Sequence, residues 1–397
     1  MIPELRRAYN AGYTDEKYSA YRRRLEERGG MEIPFRLAES PVFLPPRLRD
    51  EMVGASLEIF RQLSTPEELE RSAAAVPERF RIPGCDPLPT FAVTDFAVTR
   101  TGDGRLEPKL IELQAFPTLY AFQLAQSEEL IALCPAGEPL EWCLSGLDPA
   151  GYRRAVGEAI LGGLPPENVV LLDLEPERQK TAIDFAFTER FWGVRALDPG
   201  EIERRGAELW YRRDGTTTRI LRIYNRLIFD ELEARGAMLP LDLSAPLDVS
   251  WAGHPDWYFR WSKHCLPRLR HRTVPEAVLL SELAEPPPDL DRWVLKPLFS
   301  FAGSGVKVDV THEDLAAVPR EKRSQTLLMR KVDYAPAIAT TDGHFSKVEV
   351  RVMFVWKEGS PCPVTTLARL SQGRMMGVNY NKDKTWVGSS ACLWPKE

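Results

Sequence analysis

Lys296 closes an apolar run, Trp293-Val294-Leu295-Lys296, and leads through Pro297-Leu298-Phe299 into Ser300-Phe301-Ala302-Gly303-Ser304-Gly305-Val306. A strand that delivers an ammonium to a loop of two glycines and two serines suits phosphate chemistry. Backbone N–H groups of such a loop can turn inward, and glycine allows close approach to phosphate oxygens. The pattern GxxxxGK[ST] is absent, so this is no Walker loop. A plain hairpin carrying a solvated lysine is the competing reading.

A second group is acidic. Asp95 lies in Phe91-Ala92-Val93-Thr94-Asp95-Phe96-Ala97-Val98, and Glu112 and Gln114 lie in Pro108-Lys109-Leu110-Ile111-Glu112-Leu113-Gln114, with a Thr101-Gly102-Asp103-Gly104 turn between. Alternation puts Glu112 and Gln114 on one face, and hairpin pairing brings Asp95 beside them. Three converging oxygen donors suit Mg²⁺, which takes one or two carboxylates plus substrate phosphates; a polar sheet edge explains the spacing equally well. In Lys347-Val348-Glu349-Val350-Arg351-Val352, Glu349 and Arg351 share a face. Arg351 and Arg369 could grip phosphate or carboxylate bidentately, or form a cross-strand ion-pair ladder. The loop Gly377-Val378-Asn379-Tyr380-Asn381-Lys382 offers two amides but reads as a turn. His264 and Cys265 are neighbours on an expected helix, which would point them apart and leave a core cysteine.

The elements that must position these groups change character along the chain. Helices are expected over residues 14–28, 46–63 and from the Thr65-Pro66 cap onward, with an extended stretch at 41–46. The hairpin follows. From 150 to about 245 the period becomes α/β: helix 151–161, strand 168–173, helix 179–192, strand 193–197 and strand 219–224. No GxGxxG turn follows the first of these strands, which disfavours a dinucleotide site. A helix over 257–269 precedes the break Pro286-Pro287-Pro288, and antiparallel strands are expected at 293–298, 306–310, 326–332, 347–356, 363–370 and 374–378.

At 397 residues the chain is long enough for two or three domains. A 44% hydrophobic and 27% charged composition excludes disorder as its default state. Net charge −5 and pI near 5.8 give no general attraction for nucleic acid or anionic membrane. Residues 1–7 hold no apolar core of the signal type, so a cytoplasmic protein is expected. Six cysteines without a CxxC pair and five histidines without HExxH argue against a disulfide frame and a structural zinc.

Together these segments resemble the circularly permuted form of the ATP-grasp superfamily, the glutathionylspermidine-synthase-like branch. The Lys109-Leu110-Ile111-Glu112-Leu113-Gln114-Ala115-Phe116-Pro117 run is similar to the family's metal-binding strand, and it precedes the lysine strand, as in the permuted branch. Val294-Leu295-Lys296-Pro297 with its glycine loop is the strongest match, joined by Ile223-Tyr224-Asn225-Arg226-Leu227 and by the tail through Gly388-Ser389-Ser390. The resemblance implies a mixed α/β and α+β fold. Its parts would be a helical N-terminal layer (1–80), a metal-binding hairpin of the ATP-grasp core (81–145), a small pre-ATP-grasp-like α/β domain (146–250) and a nucleotide-binding part (251–397).

It further implies ATP on Lys296 and Lys263, with Ser300, Gly303, Ser304 and Gly305 closing over the phosphates. Met329, Lys331 and Val332 would line the adenine edge. Arg351 and Arg369 would meet the transferred phosphate, and Asp95, Glu112 and Gln114 would hold Mg²⁺. The implied activity is ATP-dependent joining of a small-molecule or peptide carboxylate to an amine. A phosphotransferase and a nucleotide-binding protein without turnover are the alternatives. The family has asparagine where this chain has Gln114, and the extra methylene moves the amide oxygen by about 1.5 Å.

Overall fold

A computed structural model describes the 397-residue chain except residues 136–138, 230–231, 233–235, 237–238, 240, 300–304, 377–380, 382 and 397. Capping residues set the helix starts that the sequence shows. Thr14 and Thr65 accept the third backbone N–H of helices Asp15–Gly29 and Pro66–Ala74, and Pro46 opens Pro46–Leu63 with its missing donor where none is needed. The last of these buries Leu48, Met52, Ala55, Ile59 and Leu63 on one stripe.

The central sheet runs Val42–Phe43, Gly388–Pro395, Ser360–Ser371, Phe345–Lys357, Phe91–Arg100, Leu106–Gln114, antiparallel except for the parallel first pair. Ile338–Ala339 pairs with Phe345–Lys357, and Leu140–Glu141 with the Gly388–Pro395 strand. Both faces are covered. Phe91, Val93, Met353, Val355 and Leu367 enter one core with Phe122 and Leu124, while Ala92, Phe96, Val352 and Phe354 enter another with Ile59 and Phe60. By alternation the first face continues from Phe91 and Val93 to Asp95, from Met353 to Arg351 and Glu349, and from Leu367 to Arg369. One face therefore passes from apolar to charged along three adjacent strands.

A parallel sheet, ordered Ser250–Ala252, Arg222–Asn225, Val169–Leu172, Arg195–Leu197, packs beside it. The expected 219–224 strand is two strands. Thr216–Ile220 closes an antiparallel meander with Glu203–Arg205 and Glu208–Arg213, whereas Arg222–Asn225 is parallel. Leu221, between them, donates to Asn168 and accepts from Ser250 instead of joining the meander ladder. A fourth sheet orders Ala277–Leu279, Thr326–Arg330, Trp293–Pro297, Lys307–Val308. The expected 257–269 helix is broken into an α-turn, Trp257–Arg260, and a 3₁₀ segment, Lys263–Arg268, with Pro267 inside it. Residues 374–376 form a bend, not the start of a strand.

Asp184 joins the layers. Its carboxylate accepts the Phe122 N–H at 2.9 Å and a 2.5 Å charge-assisted bond from Arg226, both side chains being buried. Asp184→Ala strands the Arg226 guanidinium without its carboxylate, a loss of about 3–5 kcal/mol in urea unfolding. The double variant Asp184→Leu/Arg226→Met should recover much of it, and equal losses in both variants would contradict this account.

Candidate active site

Strand pairing sets the cluster. Asp95 stands directly opposite Arg351, and Glu349 directly opposite Arg369. Both Asp95 oxygens accept from Arg351 at 2.6 Å, and Arg369 bonds Asp95 and Glu349 at 2.5 Å each. Tyr334, from the segment after Thr326–Arg330, donates to the other Glu349 oxygen. Burial pushes the Asp95 carboxyl up, but Arg351 and Arg369 outweigh it and hold the group below the usual carboxylate range. Glu349 goes the other way, raised by burial more than Arg369 lowers it.

Register also explains Lys296. Between Asp95↔Glu112 and Phe96↔Leu110 the hairpin carries one extra residue, Ile111, a β-bulge. The Ile111 carbonyl accepts from Lys296 Nζ at 3.2 Å, with Met329 Sδ at 3.5 Å. Burial lowers the Lys296 pKa, opposed first by Glu112. Lys263 Nζ lies 3.7 Å from Glu112 Oε2, and Gln114 donates its amide N–H to Glu112 Oε1 at 3.0 Å. Lys296, Lys263, Glu112, Gln114, Asp95, Arg351 and Arg369 are thus brought into one region from four separate stretches of chain.

The remaining candidates sit differently. Lys331 pairs with Asp309 at 2.5 Å while its backbone N–H donates to Arg292, and Val332 packs at the edge of a core. Gly305 has φ +72°, and a Cβ there would lie 2.9 Å from Pro297, so the turn leaving the loop requires glycine. Ser300, Gly303, Ser304 and Asn379 lie outside the described residues. Asp95, expected among the metal ligands, has both oxygens engaged by guanidiniums, because the distant strand 345–357 pairs beside it. Glu349 and Tyr334 were not candidates. Alternation had already placed Glu349 beside Arg351, whereas no pattern marks Tyr334.

His264 and Cys265 do approach, Sγ lying 3.7 Å from Nε2, because the segment is 3₁₀ and not α-helical. Burial pushes the Cys265 thiol up to about 11 and the His264 imidazole down to about 4, so the pair is no thiolate–imidazolium couple at neutral pH. The histidine carries a stability cost in acid. Its folded pKa lies below the unfolded value, so stability is full above about pH 6.5 and falls until about pH 4, by roughly 3 kcal/mol over the window. Urea unfolding of His264→Gln against wild type should show that difference in pH slope; parallel slopes would refute it.

No family model and no curated protein matches the sequence. Among solved structures the fold is similar to a glutathione synthetase-like effector from Globodera pallida in its apo form, at TM-score 0.57 and 11% identity over 96% of each chain. The chain has a mixed α/β, glutathione synthetase-like fold. Among the described residues no helix is long and apolar enough to cross a membrane.

Proposed function

We propose that the protein is an ATP-dependent carboxylate–amine ligase with a circularly permuted, glutathionylspermidine-synthase-like ATP-grasp core, acting in the cytoplasm. The observation that carries this reading is the convergence of Lys296 and Lys263 on Glu112, beside Arg351 and Arg369. Four cationic side chains stand against three carboxylates there, Asp95, Glu112 and Glu349, a surplus that favours a polyanion such as ATP. A substrate carboxylate oxygen would attack the γ-phosphorus and release ADP. The acyl phosphate would then meet an amine nitrogen, forming the amide and expelling phosphate as the nitrogen loses its proton. No protein nucleophile is needed. Lys296 and Lys263 would bind the polyphosphate, and the arginines would stabilise charge on the transferring group.

Glu112 and Gln114 fit part of a Mg²⁺ site, since one or two carboxylates plus phosphates suffice. Mg²⁺ bound there would neutralise phosphate charge. Asp95 would hold the two arginines and not the ion. One observation favours the alternative of nucleotide binding without turnover: both Asp95 oxygens are engaged, and glutamine stands at position 114. Phosphate release from Mg²⁺-ATP, stimulated by mixed acids and amines, separates the readings. A phosphotransferase yields ADP without free phosphate, and a non-catalytic binder yields neither. In calorimetry, Lys296→Ala should weaken ATP binding by about 1.5–3 kcal/mol, the scale of a charge-assisted contact. Unchanged affinity would remove Lys296 from the nucleotide site.

A further inference from the structure

Away from the charged cluster, Cys85, His254 and Asp256 each offer one ligand atom, all within 4.8 Å of one another, and they form the one such group among the described residues. The two neighbours in chain are already close, His254 Nδ1 lying 3.6 Å from Asp256 Oδ1. Around a tetrahedral zinc with bonds of about 2.0–2.3 Å, donor atoms sit roughly 3.3–3.8 Å apart, so the His254–Asp256 pair already has that spacing and the separations to Cys85 must close by at most about 1–1.5 Å. Its surroundings resemble a prepared ligand shell. His254 Nε2 lies 3.3 Å from the Pro83 carbonyl, which fixes the N–H on that nitrogen and leaves the Nδ1 lone pair for bonding. That lone pair now accepts the Asp256 N–H at 3.2 Å, a bond an ion would replace. Asp256 Oδ1 accepts the Ile82 N–H at 3.2 Å, which ties the 82–85 segment to the histidine turn.

Cys85 and Asp256 also line an open cavity of about 480 Å³ that shares no residue with the charged cluster. Its other polar lining is Arg81 and Arg260, the latter 3.3 Å from Cys85 Sγ and anchored by Ser72 and Leu69. Three ligands of mixed type beside an open volume are the donor set of a zinc ion with one exchangeable position. Thiolate and carboxylate together would balance a dication, leaving the two arginines to favour an anion at that position.

We propose that Cys85, His254 and Asp256 bind a zinc-class divalent cation whose fourth position opens into this cavity. Cysteine and histidine lie too far apart in sequence for any spacing motif to show it. Cobalt is the probe. Titration of the chelator-treated full chain with Co²⁺ should saturate at one equivalent, with a thiolate-to-metal band in the near ultraviolet and tetrahedral visible absorption, both bleached by Zn²⁺. Cys85→Ser should lose the near-ultraviolet band, and His254→Gln should bind Co²⁺ at least tenfold more weakly. As a measurement on unaltered protein, stoichiometric Zn²⁺ should slow alkylation of Cys85 at least tenfold by peptide mapping, with the other cysteines unaffected. Absence of a visible band in the wild type, a thiolate band that survives Cys85→Ser, or unprotected Cys85 would each overturn the site.

Discussion

Glu112→Gln is expected to leave ATP affinity within about tenfold of wild type while lowering Mg²⁺-dependent phosphate release by two or more orders of magnitude. Glu112 faces Lys263 and Gln114 and is the first opposing influence on Lys296, yet it sits half-buried on an edge strand. Removing its charge leaves the positive charge of both lysines in place for phosphate, so ground-state binding should not collapse. What is lost is the one carboxylate of the hairpin not engaged by a guanidinium, and with it the anchor for a cation that matters most as charge builds on the transferring phosphoryl. A purely structural role would show as a lower melting temperature with an unchanged Mg²⁺ dependence. Gln114→Asn is the companion variant and should shift the Mg²⁺ concentration for half-maximal rate. If both variants release phosphate as the wild type does, Glu112 is no part of the chemistry.

What the sequence shows of this fold follows the range of the interactions. Helices Asp15–Gly29 and Pro46–Leu63 are visible because caps, prolines and apolar stripes act within one or two turns. The hairpin itself is visible because a turn closes it, but that turn's register alone would set Asp95 opposite Ile111, and the bulge at Ile111 is what brings Glu112 there. Helix Tyr120–Ile131 is not: it is buried almost all round, Gln123 and Gln126 included, so no amphipathic period marks it. Nor is Gly388–Pro395, whose Gly-Ser-Ser start looks like a turn and whose strand character comes from pairing with Ser360–Ser371. The site divides the same way. Lys296 stands out through its own strand and loop, whereas the Ile111 bulge that supplies its carbonyl partner depends on a register shift no local pattern reveals. Arg351 and Arg369 stand out by residue type on their own strands, but their contact with Asp95 depends on strands brought together across most of the chain.

Asp95→Ala should be the most destabilising single change in the cluster, about 3–5 kcal/mol by urea unfolding at pH 7. The carboxylate is 1% exposed and holds Arg351 by two bonds and Arg369 by one. Glu349 remains for Arg369, but Arg351 loses its carboxylate, and a buried unpaired guanidinium costs more than a good pair contributes. The sign of the pH dependence follows from the depressed carboxyl. Asp95 contributes stability above its unfolded value near pH 3.9, lost as pH falls through the lower folded value, so the gap between wild type and variant should narrow in strong acid. Ligand binding then separates a structural ladder from an anion site. If Arg351 and Arg369 serve phosphate, an incoming anion competes with Asp95, and the variant should gain more stability from millimolar Mg²⁺-ATP than the wild type does. An equal or smaller gain would mean that the arginines serve the sheet alone, and phosphate transfer would have to be sought elsewhere on the fold.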